Sequence, residues 1–276
     1  MMGKIICVTD NAAATGSRLK TEHGVAFWIT TDSGNVLFDT GASAETLAAN
    51  LDQLGLPIAE IDAMAFSHSH YDHTGGIEAI LSEKAGIPIY ANADIFRPKY
   101  SKHDGNYDAS GFARQQDDYT RRADWHMNDA LTEIVDDLWT TGRIVEREFP
   151  EGRSAGHFIR MEGDFVPDPY LDDMSLVLKT AQGLVLICGC CHAGILNTLA
   201  HVRSHFEGEI VSVIGGIHLM VAEKPMIDKV INTLREIAPN ARYWLNHCTG
   251  NDAQKAFAAA FGDQAHHFKA GESILF

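Results

Sequence analysis

The segment most able to do chemistry is 67–76, which reads Ser-His-Ser-His-Tyr-Asp-His-Thr-Gly-Gly. Three imidazoles and one carboxylate fall within six residues, at His68, His70, Asp72 and His73. Residues two apart in an extended loop project to the same side, so His68 and His70 can bind one metal ion while Asp72 and His73 face a neighbouring position. Two adjacent divalent ions can lower the pKa of a water molecule and stabilise the charge that develops on an attacked ester, amide or phosphate. The spacing therefore predicts a two-metal hydrolytic site.

Three later histidines follow predicted strands. His192 comes after 184–188, His218 after 210–214 and His247 after 241–245. Because active sites of layered α/β folds collect side chains at strand ends, these histidines could reach the same rim as the first motif. The interpretation that they are hydrogen-bonded rim residues stays open for each of them, and most of all for His218.

The elements that must position these residues are predicted from periodicity. Strands are expected at 4–8, 25–30, 36–38, 63–66, 87–91, 175–179, 184–188, 210–214, 241–245 and 272–276. Helices are expected at 44–54, 77–85, 195–206, 226–237 and 253–261. This order fits two sheets flanked by helices.

Between residues 96 and 170 the pattern changes, because aromatic and charged residues mix without clean alternation. Long irregular segments in compact domains are often lids or binding loops. We expect this segment to be a lid or insertion, with Arg121, Arg122, Trp125 and His157 as the residues that contact substrate. A surface insertion without a catalytic role is the alternative.

At the first motif the chain resembles the metallo-β-lactamase fold superfamily, whose hallmark is His-x-His-x-Asp-His between a strand and a helix. The segments 139–143, 188–194, 215–219 and 246–250 are most similar to one branch, named after an archaeal methanopterin-pathway synthase. The resemblance runs from about residue 5 to the C-terminus. It implies an α/β fold, a four-layer αββα sandwich formed by a single domain over residues 1–276.

The resemblance also implies three further ligands after the first motif, usually a histidine, a bridging aspartate and a last histidine. The usual histidine falls near Asp172 and Asp173 and the usual aspartate near Cys190, so the correspondence is imperfect. The preferred arrangement has His68, His70 and His192 around one ion and Asp72, His73 and His247 around the other, with His218 as an additional ligand or an acid near the substrate.

Three residues around this arrangement have supporting roles. The resemblance implies that Asp39 supports the ligand loop, and Asp173 is expected to orient an imidazole through its distal nitrogen. Cys190 is either a thiolate ligand that favours zinc or a buried strand-end cysteine. Zinc is the expected metal for both ions, and iron and manganese are compatible with a shell of imidazoles and carboxylates.

The composition favours small-molecule chemistry. Lys and Arg number 22 against 37 Asp and Glu, and the net charge of -15 argues against nucleic-acid and anionic-membrane partners. The five cysteines form no secreted disulfide framework and no signal peptide is evident, so we expect a cytoplasmic protein. Its oligomeric state is not predicted.

The leading hypothesis is a binuclear metallohydrolase in which Asp72 orients the attacking hydroxide. Its substrate is a small molecule, expected to be anionic or aromatic, with an ester, phosphoester or lactone-type bond. The resemblance adds a second enzyme class, a phosphoribosyl-substrate synthase or transferase of the methanopterin-pathway type. A ligand-binding sensor on the same fold is a third hypothesis, disfavoured by the intact first motif.

Overall fold

The computed structural model describes residues 3–276, and strands are numbered along the chain. The first sheet contains β1 Lys4–Thr9, β2 Ala26–Thr31, β3 Gly34–Phe38, β4 Ala63–Ala65, β5 Pro88–Ala91, β8 Asp124–Met127 and β18 Ser273–Leu275, in the spatial order β18-β1-β2-β3-β4-β5-β8. The second contains β9 Thr132–Val135, β10 Leu138–Thr140, β13 Leu176–Thr180, β14 Gly183–Cys188, β15 Ile210–Gly215, β16 Arg242–Leu245 and β17 Ala265–His267, in the order β17-β16-β15-β14-β13-β10-β9.

Each large sheet is antiparallel on one side and parallel on the other. Strands β3, β4, β5 and β8 are parallel neighbours, and so are β14, β15, β16 and β17. The carboxyl ends of parallel neighbours lie at the same edge of a sheet, and ligands of α/β proteins bind outside that edge. The loops that leave these strands carry the candidate site.

Helices cover the outer faces of the two sheets. They are α1 Ala44–Leu54, α2 Tyr71–Thr74, α3 Ile77–Leu81, α4 Gln116–Thr120, α5 Ile195–His205, α6 Lys224–Ile237 and α7 Asn251–Phe261, with short 3-10 turns at Ile58–Glu60, His247–Thr249 and Gly262–Gln264. Helix α1 begins where Ser43 accepts a hydrogen bond from the Thr46 N–H and ends at Gly55, whose φ of 67° favours glycine. None of the described helices is both long and apolar enough to span a membrane.

Three apolar layers hold this arrangement together. One lies between the sheets and joins Phe27 and Ile29 of the first sheet to Leu178 and Val185 of the second. A second layer packs α1 and α3 on the first sheet, and a third packs α5, α6 and α7 on the second. The layer order is therefore αββα, and the predicted fold class is confirmed. The predicted helix at 44–54 and the strand-helix order from 175 onward agree with the structure within a few residues.

The segment 96–170 is not an irregular lid, and that expectation was wrong in its form. Its strands β8, β9 and β10 complete the edges of the two large sheets. Its other four strands, β6 Lys99–His103, β7 Asn106–Ala109, β11 His157–Met161 and β12 Asp164–Pro167, form a separate antiparallel sheet in the order β12-β11-β6-β7. These strands are short and half exposed, so their sequences lack the alternation that identifies a strand.

Candidate metal centre

The first motif lies in the loop between β4 and α2, and buried hydrogen bonds hold that loop. Asp39, at the end of β3, accepts hydrogen bonds from the Ser67 N–H at 2.7 Å and from the Ser67 hydroxyl at 2.7 Å. Further along, a Cβ on Gly75 would lie 2.1 Å from the Ala42 carbonyl oxygen, so only glycine permits this approach of the two loops. The motif is thus fixed by its neighbours before any ligand binds.

The first group of possible ligands contains His68, His70 and His192, which the structure brings together. One ring nitrogen from each lies within 4.8 Å of the others, and all three side chains are buried. His68 Nε2 and His70 Nδ1 are 3.0 Å apart. His192 donates from Nδ1 to the Gly152 carbonyl at 2.8 Å, which leaves Nε2 as the ligand atom. Burial, with some help from neighbouring imidazoles, lowers the pKa of all three rings, so they are neutral and have lone pairs for a metal ion.

The second group surrounds the Asp72 carboxylate. Asp72 Oδ2 lies 3.2 Å from His247 Nε2, 3.3 Å from His23 Nε2 and 3.7 Å from His73 Nε2. Burial raises the pKa of Asp72, but the adjacent imidazoles of His73 and His247 outweigh it and hold the pKa well below its usual range. An ionised carboxylate among imidazole nitrogens is a set of ligands suited to a divalent ion.

His73 links the two groups. Its Nδ1 lies 2.7 Å from Asp39 Oδ2, so Asp39 orients this imidazole as well as the ligand loop. Burial lowers the pKa of His73, but Asp72 and Asp39 raise it by more, to about 9. Its Nε2 faces Cys190 Sγ at 3.1 Å. Cys190 therefore occupies the place expected for a bridging ligand, and it is also a buried strand-end cysteine, so both interpretations of this residue describe its position.

The thiol of Cys190 also belongs to another group of possible ligands, with His218 and Cys248. Burial raises the pKa of Cys190, and contact with Cys248 adds to that rise. Burial also acts to raise the pKa of Cys248, but contacts with Cys190 and His218 hold it well below its usual value. His218 thus lies with the two cysteines, and its ring also lies beside that of His192, with centroids 4.2 Å apart.

Asp173 does not orient an imidazole, and that expectation was wrong. Its Oδ2 accepts a hydrogen bond from the Ala193 N–H at 2.8 Å, so it holds the backbone of the loop after β14. Burial raises the pKa of Asp173 to about 6. The ring of His192 is instead oriented by the Gly152 carbonyl and by the Tyr170 ring, which stacks on it with centroids 4.2 Å apart.

Two candidate ligands were not predicted. His23, in the loop before β2, has no motif around it and reaches Asp72 only because the chain folds its loop over α2. Cys248 follows His247 directly, but periodicity gave no sign that its thiol would meet Cys190. In both cases the residues meet only through the tertiary fold, and a single sequence carries no local signal for such a contact.

Both ligand groups open onto one cavity of about 260 Å³. Its lining residues are His23, His70, Tyr71, Asp72, Ser101, His103, Ser110, Ser154, His157, Cys190, His192, His218, Met220, Val221 and Cys248. The separate small sheet and the loops beside it thus form one wall of the cavity. His157, predicted to contact substrate, lies in that wall.

Arg121, Arg122 and Trp125 are not among the lining residues, which corrects their predicted role. Arg121 is exposed and pairs with Asp117 at 3.2 Å, and Arg122 pairs with Glu78 at 2.8 Å. Trp125 stacks on Phe66 in the layer that packs α1 and α3 on the first sheet. The basic and aromatic residues of this stretch are ion pairs and core, so they do not contact a ligand in the cavity.

The residues present fit bound metal. Nε2 of His70 and of His192 are buried with no hydrogen-bond partner among the described residues, and unpaired buried polar atoms are rare in folded proteins. Asp39, His218 and His247 have positive φ values of 59°, 42° and 47°, which cost energy for residues other than glycine. Strain and unpaired nitrogens at one place are typical of a ligand site.

The layers and this centre define a protein of the metallo-β-lactamase fold. A model described as the metallo-beta-lactamase superfamily matches residues 19–190, more than half of the chain, and the protein belongs to that superfamily.

Three relatives illustrate the likeness. The chain is 28% identical to 7,8-dihydropterin-6-methyl-4-(β-D-ribofuranosyl)-aminobenzene-5'-phosphate synthase of Methanocaldococcus jannaschii, over 99% of this chain and 96% of the relative. The crystal structure of Tm1679, described as a metal-dependent hydrolase of the β-lactamase superfamily, is 27% identical with a TM-score of 0.81 and covers 99% of this chain and 98% of that one. Zn²⁺-bound PqqB from Methylobacterium extorquens shares the fold at 12% identity, with a TM-score of 0.59 and coverage of 98% and 99%.

Proposed function

We propose that the protein is a binuclear metal-dependent hydrolase that acts on a small-molecule ester, phosphoester or lactone-type bond. The observation that carries this proposal is the meeting of two separate ligand groups at one cavity. A single structural metal site would be closed by protein ligands, whereas a catalytic one keeps a position open to substrate. Here the first and second groups both face the cavity through His70, His192 and Asp72.

One ion is assigned to His68, His70 and His192, and the other to Asp72, His73 and His247, with His23 as a further ligand to the second. Zinc is the proposed metal, because imidazole nitrogens predominate in both sets. When bound, the ions lower the pKa of water and neutralise negative charge that develops on the attacked group.

The chain's own residues orient the reactants. Asp72 lies within 3.3 Å of two imidazoles and presents a carboxylate to the cavity, where it can accept a hydrogen bond from an attacking water. His157 is placed to contact the substrate. The Tyr170 hydroxyl, which accepts from the Ser154 N–H at 3.1 Å, lies 3.0 Å from His157 Nδ1. When this hydroxyl donates to Nδ1, Nε2 carries the proton as a donor for substrate.

We favour His157 as the substrate contact over His218, which was expected to be an additional ligand or an acid near the substrate. Its ring lies with Cys190 and Cys248, whereas His157 has a hydrogen-bonded orientation and lines the same cavity. Burial and the neighbouring His218 lower the pKa of His157 to about 4, so it acts as a neutral hydrogen-bond donor near pH 7.

A second candidate function is a synthase or transferase acting on a phosphoribosyl substrate. The observation that favours it is the match to the Methanocaldococcus jannaschii synthase over 99% of this chain. The described residues that line the cavity include no Lys or Arg, so a phosphate would be held by metal ions, imidazoles and hydroxyls such as those of Ser101, Ser110 and Ser154. The lining therefore offers a phosphate no bidentate arginine, the side chain that binds phosphate most specifically.

The hydrolase proposal is tested by metal content and turnover together. Purified protein loaded with Zn²⁺ should hold at least two ions per chain and hydrolyse at least one reporter in a panel of phosphodiesters, phosphomonoesters, lactones and β-lactams. The variant His70→Ala should lose bound metal and turnover, while His205→Ala, which removes an exposed histidine of α5, should change neither. One ion or none in the fully loaded protein would contradict the binuclear assignment.

The two enzyme classes are separated by their co-substrates. Product analysis by mass spectrometry, with an aromatic acceptor in the presence and absence of phosphoribosyl pyrophosphate, detects bond formation directly. A coupled product that requires phosphoribosyl pyrophosphate supports the synthase. Release of an alcohol and an acid without it supports the hydrolase.

A further inference from the structure

We propose that Cys190, His218 and Cys248 form a third metal site, one that takes a thiophilic cation such as Zn²⁺ or Cd²⁺. Their ligand atoms, two sulfurs and one ring nitrogen, all lie within 4.8 Å of one another. This set differs from the two imidazole and carboxylate groups in its chemistry, and it goes beyond the proposed hydrolase function. We call it the Cys-His-Cys group.

The topology explains why these three residues meet. Cys190 follows β14, His218 follows β15 and Cys248 follows β16, and these strands are parallel neighbours in the second sheet. Close backbone approach brings the loops together, because a Cβ on Gly216 would lie 2.5 Å from both Cys248 Sγ and the Gly189 carbonyl oxygen. Only glycine lets the sulfur approach so closely at this position.

A second observation points to a ligand. His218 is only 6% exposed, yet neither Nδ1 nor Nε2 has a hydrogen-bond partner among the described residues. A buried imidazole with two unpaired nitrogens costs free energy unless something binds it. Its backbone is also held at a φ of 42°, in the left-handed region. A metal ion between His218 and the two sulfurs would satisfy one of these nitrogens.

The ligand types select the cation. Thiolate is the form of cysteine that binds metal, and two thiolates with one imidazole favour zinc, cadmium or copper(I) over magnesium, calcium or manganese. Three protein ligands leave one tetrahedral position open, as in zinc sites with two cysteines and one histidine. Cys190, His218 and Cys248 all line the cavity, so the open position faces the substrate space.

Cys190 connects this site to the second ion, because its Sγ lies 3.1 Å from His73 Nε2. Its thiolate would therefore lie beside the second ligand group when the third site is filled. The occupancy of the third site then depends on Cys248 and His218, which belong to no other candidate ligand group.

The test uses metal-free full-length protein titrated with Co²⁺ and with Cd²⁺. Wild type should show a near-ultraviolet sulfur-to-cobalt charge-transfer band and should bind one more equivalent of Cd²⁺ than Cys248→Ser. His218→Ala should lose the same equivalent. Cys7→Ser, a change at a buried cysteine that belongs to none of the candidate ligand groups, should leave both readouts at wild-type levels.

Neither readout depends on turnover, so the result stands apart from the hydrolase proposal. His70→Ala should keep the charge-transfer band even though it empties the first group. Circular dichroism checks that Cys248→Ser is folded. If it is not, ¹¹³Cd NMR of wild type decides the matter, because sulfur ligation shifts the resonance far downfield of sites with nitrogen and oxygen ligands alone. Wild type without a charge-transfer band, a Cys248→Ser variant with full Cd²⁺ stoichiometry, or no downfield resonance would overturn the proposal.

Discussion

Two clusters of buried ionisable side chains lie side by side in this protein, and they differ in whether the chain satisfies them. In the first, the Lys99 ammonium contacts Asp172 at 2.7 Å and Asp168 at 2.8 Å, and all three side chains are at most 1% exposed. The second is the candidate metal centre, where imidazole nitrogens of His70, His192 and His218 have no hydrogen-bond partner within residues 3–276. One cluster is complete without a ligand, and the other is not.

This contrast distinguishes the Lys99 cluster, which supports the fold, from the cluster that we propose binds metal. Asp172 also accepts hydrogen bonds from the Ser69 N–H and hydroxyl, each at 2.9 Å, so the Lys99 cluster connects the small sheet to the loop that carries the first motif. Burial opposes the charge on Lys99, but Asp172 and Asp168 raise its pKa above the usual value. Each charged side chain of this cluster has an oppositely charged partner within the protein. At the metal centre the proposed cations would supply the missing partners, which is why we assign chemistry to that cluster alone.

The largest expected effect comes from Asp72→Asn, which removes the charge that the second ligand group surrounds. We expect turnover to fall by about three orders of magnitude, since a metal-assisted site supplies several kcal/mol of charge stabilisation and each factor of ten corresponds to about 1.4 kcal/mol. The metal-free protein should also lose some stability, because Asp72 is paired with His73 and His247, which hold its pKa low. Steady-state kinetics and urea unfolding measure the two quantities, and a variant with near-normal turnover would remove Asp72 from the mechanism.

Lys99→Met should show the reverse pattern. It leaves Asp168 and Asp172 buried without their shared cation, and breaking a buried pair in this way costs about 3–5 kcal/mol of unfolding free energy. Urea unfolding in the presence of a chelator measures this cost without a contribution from metal. The matched control is Lys224→Met, which breaks an exposed pair with Asp228 and should have almost no effect. An equal effect of both substitutions would contradict the scaffold role of Lys99.

A smaller effect should follow from Asp39→Asn, because Asp39 contacts the ligand His73 and no metal ion directly. Residues that orient a metal ligand typically contribute about 10–100-fold to metal affinity or activity. Competition with a chromophoric chelator measures the affinity. Asp173→Asn is the control, since Asp173 hydrogen-bonds only to backbone groups near His192, and its effect on affinity should be smaller. If Asp173→Asn weakens binding more, the orienting role of Asp39 is wrong.

The sequence predicted those parts of the molecule in which local pattern and tertiary role agree. Helix α1 has apolar residues on one face, and Ser43 and Gly55 mark its ends. The first motif is contiguous, so its ligands are visible without knowledge of the fold. His192 and His247 were found because each follows a parallel strand, and the ends of parallel strands share an edge.

The remaining parts depend on contacts between distant segments. His23 and Asp72 are 49 residues apart, and nothing near His23 indicates a ligand. Lys99 looked like one residue of an irregular basic stretch, yet it is buried in the small sheet against Asp168 and Asp172. Trp125 was expected to contact substrate, but it packs against Phe66, as Phe112 does. A pattern of aromatic and basic residues is equally typical of a core edge with surface ion pairs.

The smallest expected effect tests whether the basic residues of this stretch contact substrate or only form surface ion pairs. Replacing Arg121 by Ala removes a side chain that is 76% exposed and whose partner Asp117 is equally exposed, and such pairs contribute little to stability. Because Arg121 lies outside the cavity lining, the Michaelis constant for an anionic substrate and the metal content should both match wild type. His157→Ala is the informative comparison, since this residue lines the cavity and should raise the Michaelis constant when Arg121→Ala does not. A raised Michaelis constant in Arg121→Ala with normal metal content would mean that substrate extends beyond the cavity to α4, and the small sheet would then be only part of the binding surface.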